Sequence, residues 1–225
     1  WLACGLKEIH KNTREHSSSL YTIARNNLCK STSWILSHPE YLLEKKEEIR
    51  LNSSLSRLIS GEPLAYIIGS QQFFGFDYLV NPDVLIPRPE TELLVEEAIR
   101  AIESRDSKET AQIADVGTGS GCIAITLAKT ILNCEVIATD LSFKALSMAK
   151  KNIKLNEVEK RVHLVQTSLL NGIKSRFDLI CANLPYIPTN TLKMLSDLKH
   201  EPALALDGGS DGLDLIHHLL YDVKN

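Results

Sequence analysis

Across residues 2–68 apolar side chains recur three or four positions apart, as in Leu20, Ile23, Ala24 and Leu28 and again in Leu51, Leu55, Leu58 and Ile59. That period gathers them on one stripe of a helix, and no strand-like alternation interrupts it. Residues 1–71 are therefore expected to form a small helical domain. Within it, Ser33 is expected to cap a short helix reaching Leu36, and Pro39 to start the next one. The period changes at Gln72. Phe73, Phe74, Phe76, Tyr78 and Val80 are strand formers, Gly75 and Asn81-Pro82 punctuate them, and residues 84–86 form a further short apolar run. Residues 72–88 thus read as a β-hairpin linker with 84–86 as its second strand.

After Pro89 the residues Glu90, Glu92, Leu93, Leu94, Glu96 and Ala98 suit a helix whose acidic first turn faces its own positive dipole end. Beyond residue 111, short apolar runs alternate with helical periods. Strands are expected at 112–116, 135–139, 162–166 and 177–182, with helices at 123–131 and 144–154 between the earlier ones. Strands separated by helices imply a parallel sheet with right-handed crossovers. Residues 89–225 are accordingly expected to be a doubly wound, Rossmann-like α/β domain.

Composition narrows the function classes. Of the 225 residues 44% are hydrophobic and 24% charged, ordinary values for a chain that folds. The net charge of -3 provides no basic footprint for nucleic acid, so direct nucleic-acid binding is not expected. Cys4, Cys29, Cys122, Cys134 and Cys181 are odd in number and never paired at metal-ligand spacing, so neither a disulfide framework nor a metal site is expected. A reducing cytoplasm and a monomer without membrane attachment are the expectation, since there is neither an apolar run of membrane-spanning length nor a secretory pattern at the N-terminus. His217 and His218 are neighbours on a helix-like segment and point in different directions, which argues against a shared metal. Lys150, Lys151 and Lys154 read as a solvated helix face.

The chemistry concentrates at two strand ends. The first strand closes on Asp115-Val116 and turns through Gly117-Thr118-Gly119-Ser120-Gly121 into a helix. Alternating glycines let backbone approach a ligand at the carboxyl end of the strand, although such a turn can also be only a tight connection. The second strand ends at Asp140, about 20 residues later, where an acid can accept hydrogen bonds from both ribose hydroxyls. Capping of the next helix is the other role open to Asp140, and Ser142 suits that role too. The strict glycine alternation departs from the nicotinamide-dinucleotide fingerprint, and no lysine completes a phosphate-binding loop after Gly121.

The fourth strand presents Asn183-Leu184-Pro185-Tyr186 at the same sheet edge. An amide or aromatic-amine nitrogen is a poor nucleophile, so a site acting on one must orient it. The Asn183 side-chain oxygen and the Leu184 carbonyl can each accept one N–H, Tyr186 can pack on the planar group, and Pro185 stiffens the turn.

Asp-x-Gly-x-Gly-x-Gly resembles the first motif of class I methyltransferases. Together with Gly61-Glu62-Pro63-Leu64-Ala65-Tyr66-Ile67-Ile68-Gly69, Val84-Leu85-Ile86-Pro87-Arg88-Pro89-Glu90-Thr91-Glu92, Asn183 to Tyr186, Glu201-Pro202, Ala205-Leu206 and Gly208-Gly209-Ser210-Asp211-Gly212, the chain resembles the bacterial release factor glutamine methyltransferase family from about Gly61 to Leu220. The resemblance implies S-adenosyl-L-methionine as methyl donor and the glutamine of the Gly-Gly-Gln loop of class 1 peptide chain release factors as acceptor. It implies cofactor contacts at Gly117, Thr118, Gly119, Ser120, Gly121, Asp140, Ser168 and Asn183. Substrate contacts fall on Asn183, Leu184, Pro185 and Tyr186, with Asn183 and Tyr186 in catalysis, and the helical domain is expected to dock the release factor. Two positions differ from the family pattern: Leu184 stands where a proline is usual, and Thr167-Ser168 offer hydroxyls where an acid often faces the adenine amine.

Asn-Leu-Pro-Tyr also resembles the motif of ribosomal RNA adenine dimethyltransferases, which makes a nucleic-acid adenine N6-methyltransferase the rival reading; the acidic balance and residues 86–92 oppose it. A module that binds a release factor without catalysis is the other alternative. The chain starts at Trp1 rather than Met, and only four strands precede Asn225 where the resemblance implies seven. The methyltransferase domain is therefore expected to be C-terminally incomplete, with its fourth strand's edge uncovered.

Overall fold

Among the described residues, the helical periodicity of the first part of the chain resolves into four helices. The computed structural model describes residues 17–195 and 198–224, so the part of the helical expectation that precedes Ser17 lies outside the described residues. Helices α1 (Ser17–Leu28), α2 (Thr32–Ser37), α3 (Lys45–Ile59) and α4 (Leu64–Ile68) bury Leu20, Ile23, Ala24, Ile35, Leu51, Leu58 and Ile67 in one cluster. Leu28 and Leu55 pack against it, as the three-to-four spacing requires.

Two boundaries differ from expectation. Ser31, not Ser33, caps α2: its hydroxyl accepts from the Trp34 backbone N–H at 3.1 Å. Pro39 does not start α3. That helix begins six residues later behind Glu44, where Glu47 reaches back to the Glu44 N–H at 2.9 Å in a reciprocal capping box.

The chain divides into two compact units, Trp1–Gly69 and Ser70–Asn225. The hairpin belongs to the second. Its strands are β1 (Ser70–Phe73) and β2 (Phe76–Leu79), paired antiparallel across Phe74-Gly75. Both turn residues have positive φ, 50° and 77°, the backbone that lets a two-residue turn follow the twist of its strands. Residues 84–86 therefore have no part in the hairpin. They run as irregular chain with Val84 and Ile86 buried.

Helix α5 (Glu90–Glu103) leads to a parallel sheet of β3 (Ala111–Val116), β4 (Cys134–Asp140), β5 (Val162–Gln166) and β6 (Leu179–Ala182), with α6 (Cys122–Thr130) and α7 (Phe143–Leu155) as crossovers. The last strand starts two residues later than its apolar run. The spatial order β5-β4-β3-β6 reverses direction at β3, and such a reversal opens a crevice at the carboxyl ends of β3 and β6. Short helices α8 (Thr189–Leu192) and a 3-10 turn Ala203–Ala205 precede α9 (Asp214–Lys224). No helix among the described residues is long and apolar enough to cross a membrane.

The hairpin is tied to this domain through Asn152 of α7, which is fully buried. Its amide accepts from the Leu79 N–H at 2.7 Å and donates to the carbonyls of Leu79 at 2.9 Å and Ser120 at 2.8 Å. One side chain thus joins the hairpin to the glycine turn. Asn152→Ala strands three backbone groups, and because each buried orphan costs roughly 1–3 kcal/mol, a loss of about 3 kcal/mol is expected in urea unfolding.

Candidate functional site

The glycine turn is held in shape by its own backbone and by two acids. The amides of Gly117 and Thr118 both donate to the Thr139 carbonyl, at 2.9 and 2.8 Å, and the Gly121 amide donates to the Thr118 carbonyl at 2.8 Å. Gly117, Gly119 and Gly121 all have positive φ, which only glycine adopts without strain. Asp140 accepts from the Gly119 amide at 2.9 Å and from the Ser142 amide at 2.8 Å. Ser142 in turn caps α7 by accepting from Ala145 N at 3.2 Å. Asp140 therefore braces the glycine turn, and the cap falls to Ser142.

Asp115 lies beneath the turn with no exposed surface. One carboxylate oxygen accepts from the Thr118 hydroxyl at 2.6 Å and the Ala124 amide at 3.1 Å; the other is buried without a partner. Burial pushes its pKa up to about 6, against the opposing pull of the Thr118 and Ala124 hydrogen bonds.

A cavity of about 290 Å³ opens above the turn, near the lower end of the range for small-molecule sites. Gly117, Thr118, Gly119, Ser120, Asp140, Ser168 and Asn183 line it, with residues 82–88 along another side. Gly121 does not. A Cβ there would meet Ile125 Cδ1 at 3.0 Å and Ala149 Cβ at 3.3 Å, so this glycine lets α6 and α7 approach each other. Thr167 lines the cavity, but its hydroxyl donates to the Asn171 carbonyl at 2.8 Å.

A second cavity, about 410 Å³, lies beside the first and is lined by Arg88, Glu90, Thr91, Leu94, Asn183, Leu184, Pro185 and Tyr186 among others. Asn183, Leu184 and Pro185 belong to both linings. Leu85, Arg88, Thr91 and Ala205 do as well, so the two cavities adjoin; the glycine turn and Asp140 line only the first, and Tyr186, 68% exposed, only the second. Leu184 is buried, and its Cδ2 sits 3.2 Å from where a Cβ on Gly117 would be. The apolar side chain at this position thus packs the two motifs together.

A family model described as PrmC N-terminal domain matches residues 10–69, and one described as ribosomal protein L11 methyltransferase (PrmA) matches residues 95–202. The release factor glutamine methyltransferase of Coxiella burnetii is 38% identical over 199 residues, covering 88% of this chain and 70% of the relative. The one of Moorella thermoacetica is 42% identical over 193 residues, covering 82% and 67%. The chain belongs to the release factor glutamine methyltransferase family. Against its relative from Geobacter sulfurreducens, 42% identical over 76% of this chain, it spans 59% of the relative's length. The hMettl16 catalytic domain, solved in complex with a MAT2A 3'UTR hairpin, shares the fold with a TM-score of 0.56, 16% identity, and coverage of 80% of this chain and 63% of that one. That likeness concerns the fold alone.

In this member of the release factor glutamine methyltransferase family, the segment at residues 86–92 is anchored by a distant acid. Arg88 pairs with Glu201, and the same carboxylate accepts from the Ile86 amide at 3.3 Å. Glu201 is buried, its side chain 3% exposed, so it anchors the segment from below. Thr91 was also missed as a site residue. Its hydroxyl accepts from Asn183 Nδ2 at 3.1 Å. The only sequence signal for either contact is the joint presence of the two segments, since the partners lie 113 and 92 positions apart.

Proposed function

We propose that this chain transfers a methyl group from S-adenosyl-L-methionine to the side-chain amide nitrogen of the glutamine in the Gly-Gly-Gln motif of class 1 peptide chain release factors. The observation that carries the reading is the lining that two adjoining cavities share at Asn183, Leu184 and Pro185. Methyl transfer needs donor and acceptor side by side with the reacting atoms in contact and aligned, and two cavities that share lining residues offer adjoining places for them. Family membership supports the substrate class.

The residues present fit the cofactor. Gly119 lines the first cavity with positive φ, and a Cβ built there meets nothing within 4 Å, so the turn leaves open space where a side chain would stand. Asp140 offers carboxylate lone pairs beside it for ribose hydroxyls, and Ser168 offers a hydroxyl in the same lining. When bound, S-adenosyl-L-methionine supplies an electrophilic methyl on a sulfonium.

The chain's own residues handle the acceptor. Asn183 Oδ1 and the Leu184 carbonyl each take one N–H of the glutamine NH2, which turns the nitrogen toward the first cavity and stabilises positive charge as it develops there. A strong base is not needed beforehand, because the proton leaves only after the nitrogen has become cationic and acidic. Tyr186 packs on the amide plane. The helical unit at residues 17–69 serves to dock the release factor, and the free thiols Cys29, Cys122, Cys134 and Cys181 suit a reducing cytoplasm.

Mass spectrometry of a release factor incubated with this protein and isotopically labelled S-adenosyl-L-methionine tests the proposal. One labelled methyl is expected on the glutamine of the Gly-Gly-Gln peptide. Label on RNA with none on that glutamine overturns it.

A further inference from the structure

We infer that Thr91 is a positioning residue that selects which end of the Asn183 side-chain amide faces the substrate. The inference rests on the reading that Asn183 accepts a hydrogen bond from the acceptor amide. A primary amide carries an acceptor oxygen at one end and two N–H donors at the other, in nearly the same shape, so a half-turn exchanges them with little steric change. The two orientations have opposite consequences here. An oxygen toward the substrate accepts from its NH2 and leaves the nitrogen lone pair aimed at the methyl donor, whereas an NH2 facing an NH2 repels it.

Thr91 engages one of these two orientations in the structure. It is 8% exposed and lines both cavities with Asn183. With Asn183 Nδ2 donating to Thr91 Oγ1 at 3.1 Å, one end of the amide is engaged and Oδ1 is left for the acceptor. The backbone that carries the hydroxyl is fixed from three directions. The Thr91 amide donates to the Arg88 carbonyl at 3.0 Å, which sets the first turn of α5. Buried Glu201 holds Arg88 and the Ile86 amide. Glu92 accepts from the Phe74 amide at the hairpin turn, at 2.7 Å. The segment Pro87-Arg88-Pro89-Glu90-Thr91-Glu92 is thereby a brace whose product is the location of one hydroxyl. That accounts for a stretch of sequence which contributes no titrating group to the transfer.

The test compares Thr91→Val, which keeps shape and removes the hydroxyl, with Thr91→Ser, which keeps the hydroxyl and removes the methyl. Because misorientation of a reacting group costs up to about 10²-fold, Thr91→Val is expected to lower kcat by roughly 30-fold, with the KM for release factor and cofactor affinity within about threefold of wild type. Thr91→Ser is expected to recover most of kcat. Hydrogen exchange at the Asn183 side-chain NH2, followed by NMR, supplies a readout independent of turnover: faster exchange is expected in Thr91→Val and in Thr91→Ala, and wild-type exchange in Thr91→Ser. Unchanged kcat and unchanged exchange in Thr91→Val overturn the inference, as does a Thr91→Ser variant as slow as Thr91→Val, which would assign the effect to methyl packing. Asn183→Ala measured alongside separates the two levels. If it turns over normally, the reading of Asn183 fails; if it is slow while Thr91→Val is fast, only the role of Thr91 fails.

Discussion

Asn183→Ala is expected to slow methyl transfer to the release factor glutamine by about 10²-fold to 10³-fold, the scale on which a single preorganised hydrogen-bonding group acts at a developing charge. The side chain follows the last residue of β6 and lines both cavities. Its removal deletes an acceptor that must be in place before the nitrogen becomes positive, and water filling the gap has to be reoriented at the moment of reaction. Cofactor affinity should change far less. Gly117, Thr118, Gly119, Ser120 and Asp140 keep their places in the first cavity, and the contacts that shape the glycine turn run to Thr139, Asp140 and Asp115 rather than to Asn183. Single-turnover kinetics with labelled cofactor, set beside calorimetric titration of S-adenosyl-L-methionine, separates the two effects. A proportional loss of both would make Asn183 a cofactor ligand first, and undiminished turnover would remove it from the acceptor site.

The sequence carries those parts of this molecule that depend on local periodicity. Leu20, Ile23, Ala24, Leu51 and Leu58 are spaced for one helix face and are buried together. The four parallel strands follow from short apolar runs alternating with helices, and the glycine turn and Asp140 follow from their places at strand ends. What local pattern does not reveal is pairing at a distance. Ser31 and Ser33 are both competent caps with hydroxyls 3.0 Å apart, and the choice between them is made by where α2 begins. Val84 and Ile86 look like strand residues because they are buried, yet their burial comes from packing and not from a ladder. Within the candidate site, Asn183 was legible because its motif is contiguous. Thr91, Glu201 and Asn152 act across long separations through contacts that no spacing rule anticipates.

Gly208→Ala is the second substitution expected to cost turnover heavily, about 10²-fold, because a displacement near 1 Å at a positioning element is enough for such a loss. A Cβ at Gly208 would lie 2.7 Å from the Gly212 carbonyl oxygen, 2.8 Å from the Pro185 carbonyl oxygen and 2.8 Å from the Tyr186 Cα. All three are backbone atoms and cannot rotate aside. The loop has little freedom to retreat either. The Gly208 amide donates to the Ile187 carbonyl at 2.9 Å and the Ile187 amide to the Leu206 carbonyl at 3.0 Å. Asp207 accepts from the Thr189 hydroxyl at 2.6 Å and the Gly209 amide at 3.0 Å, contacts that hold its carboxyl below the ordinary range. The added methyl therefore pushes on residues 185–186, beside the Leu184 carbonyl and Tyr186 that are proposed to meet the acceptor. Overpacking of this kind is expected to lower stability by roughly 1–3 kcal/mol, which chemical denaturation measures. Cofactor affinity is expected to stay within about threefold, because the contacts that shape the glycine turn run to Thr139, Asp140 and Asp115 and involve none of residues 207–212, so the loss is one of alignment. Wild-type turnover in a folded Gly208→Ala protein would mean that the loop yields and does not set the turn. A large kcat loss with cofactor binding retained is the outcome that makes residues 207–212 the support of the acceptor side.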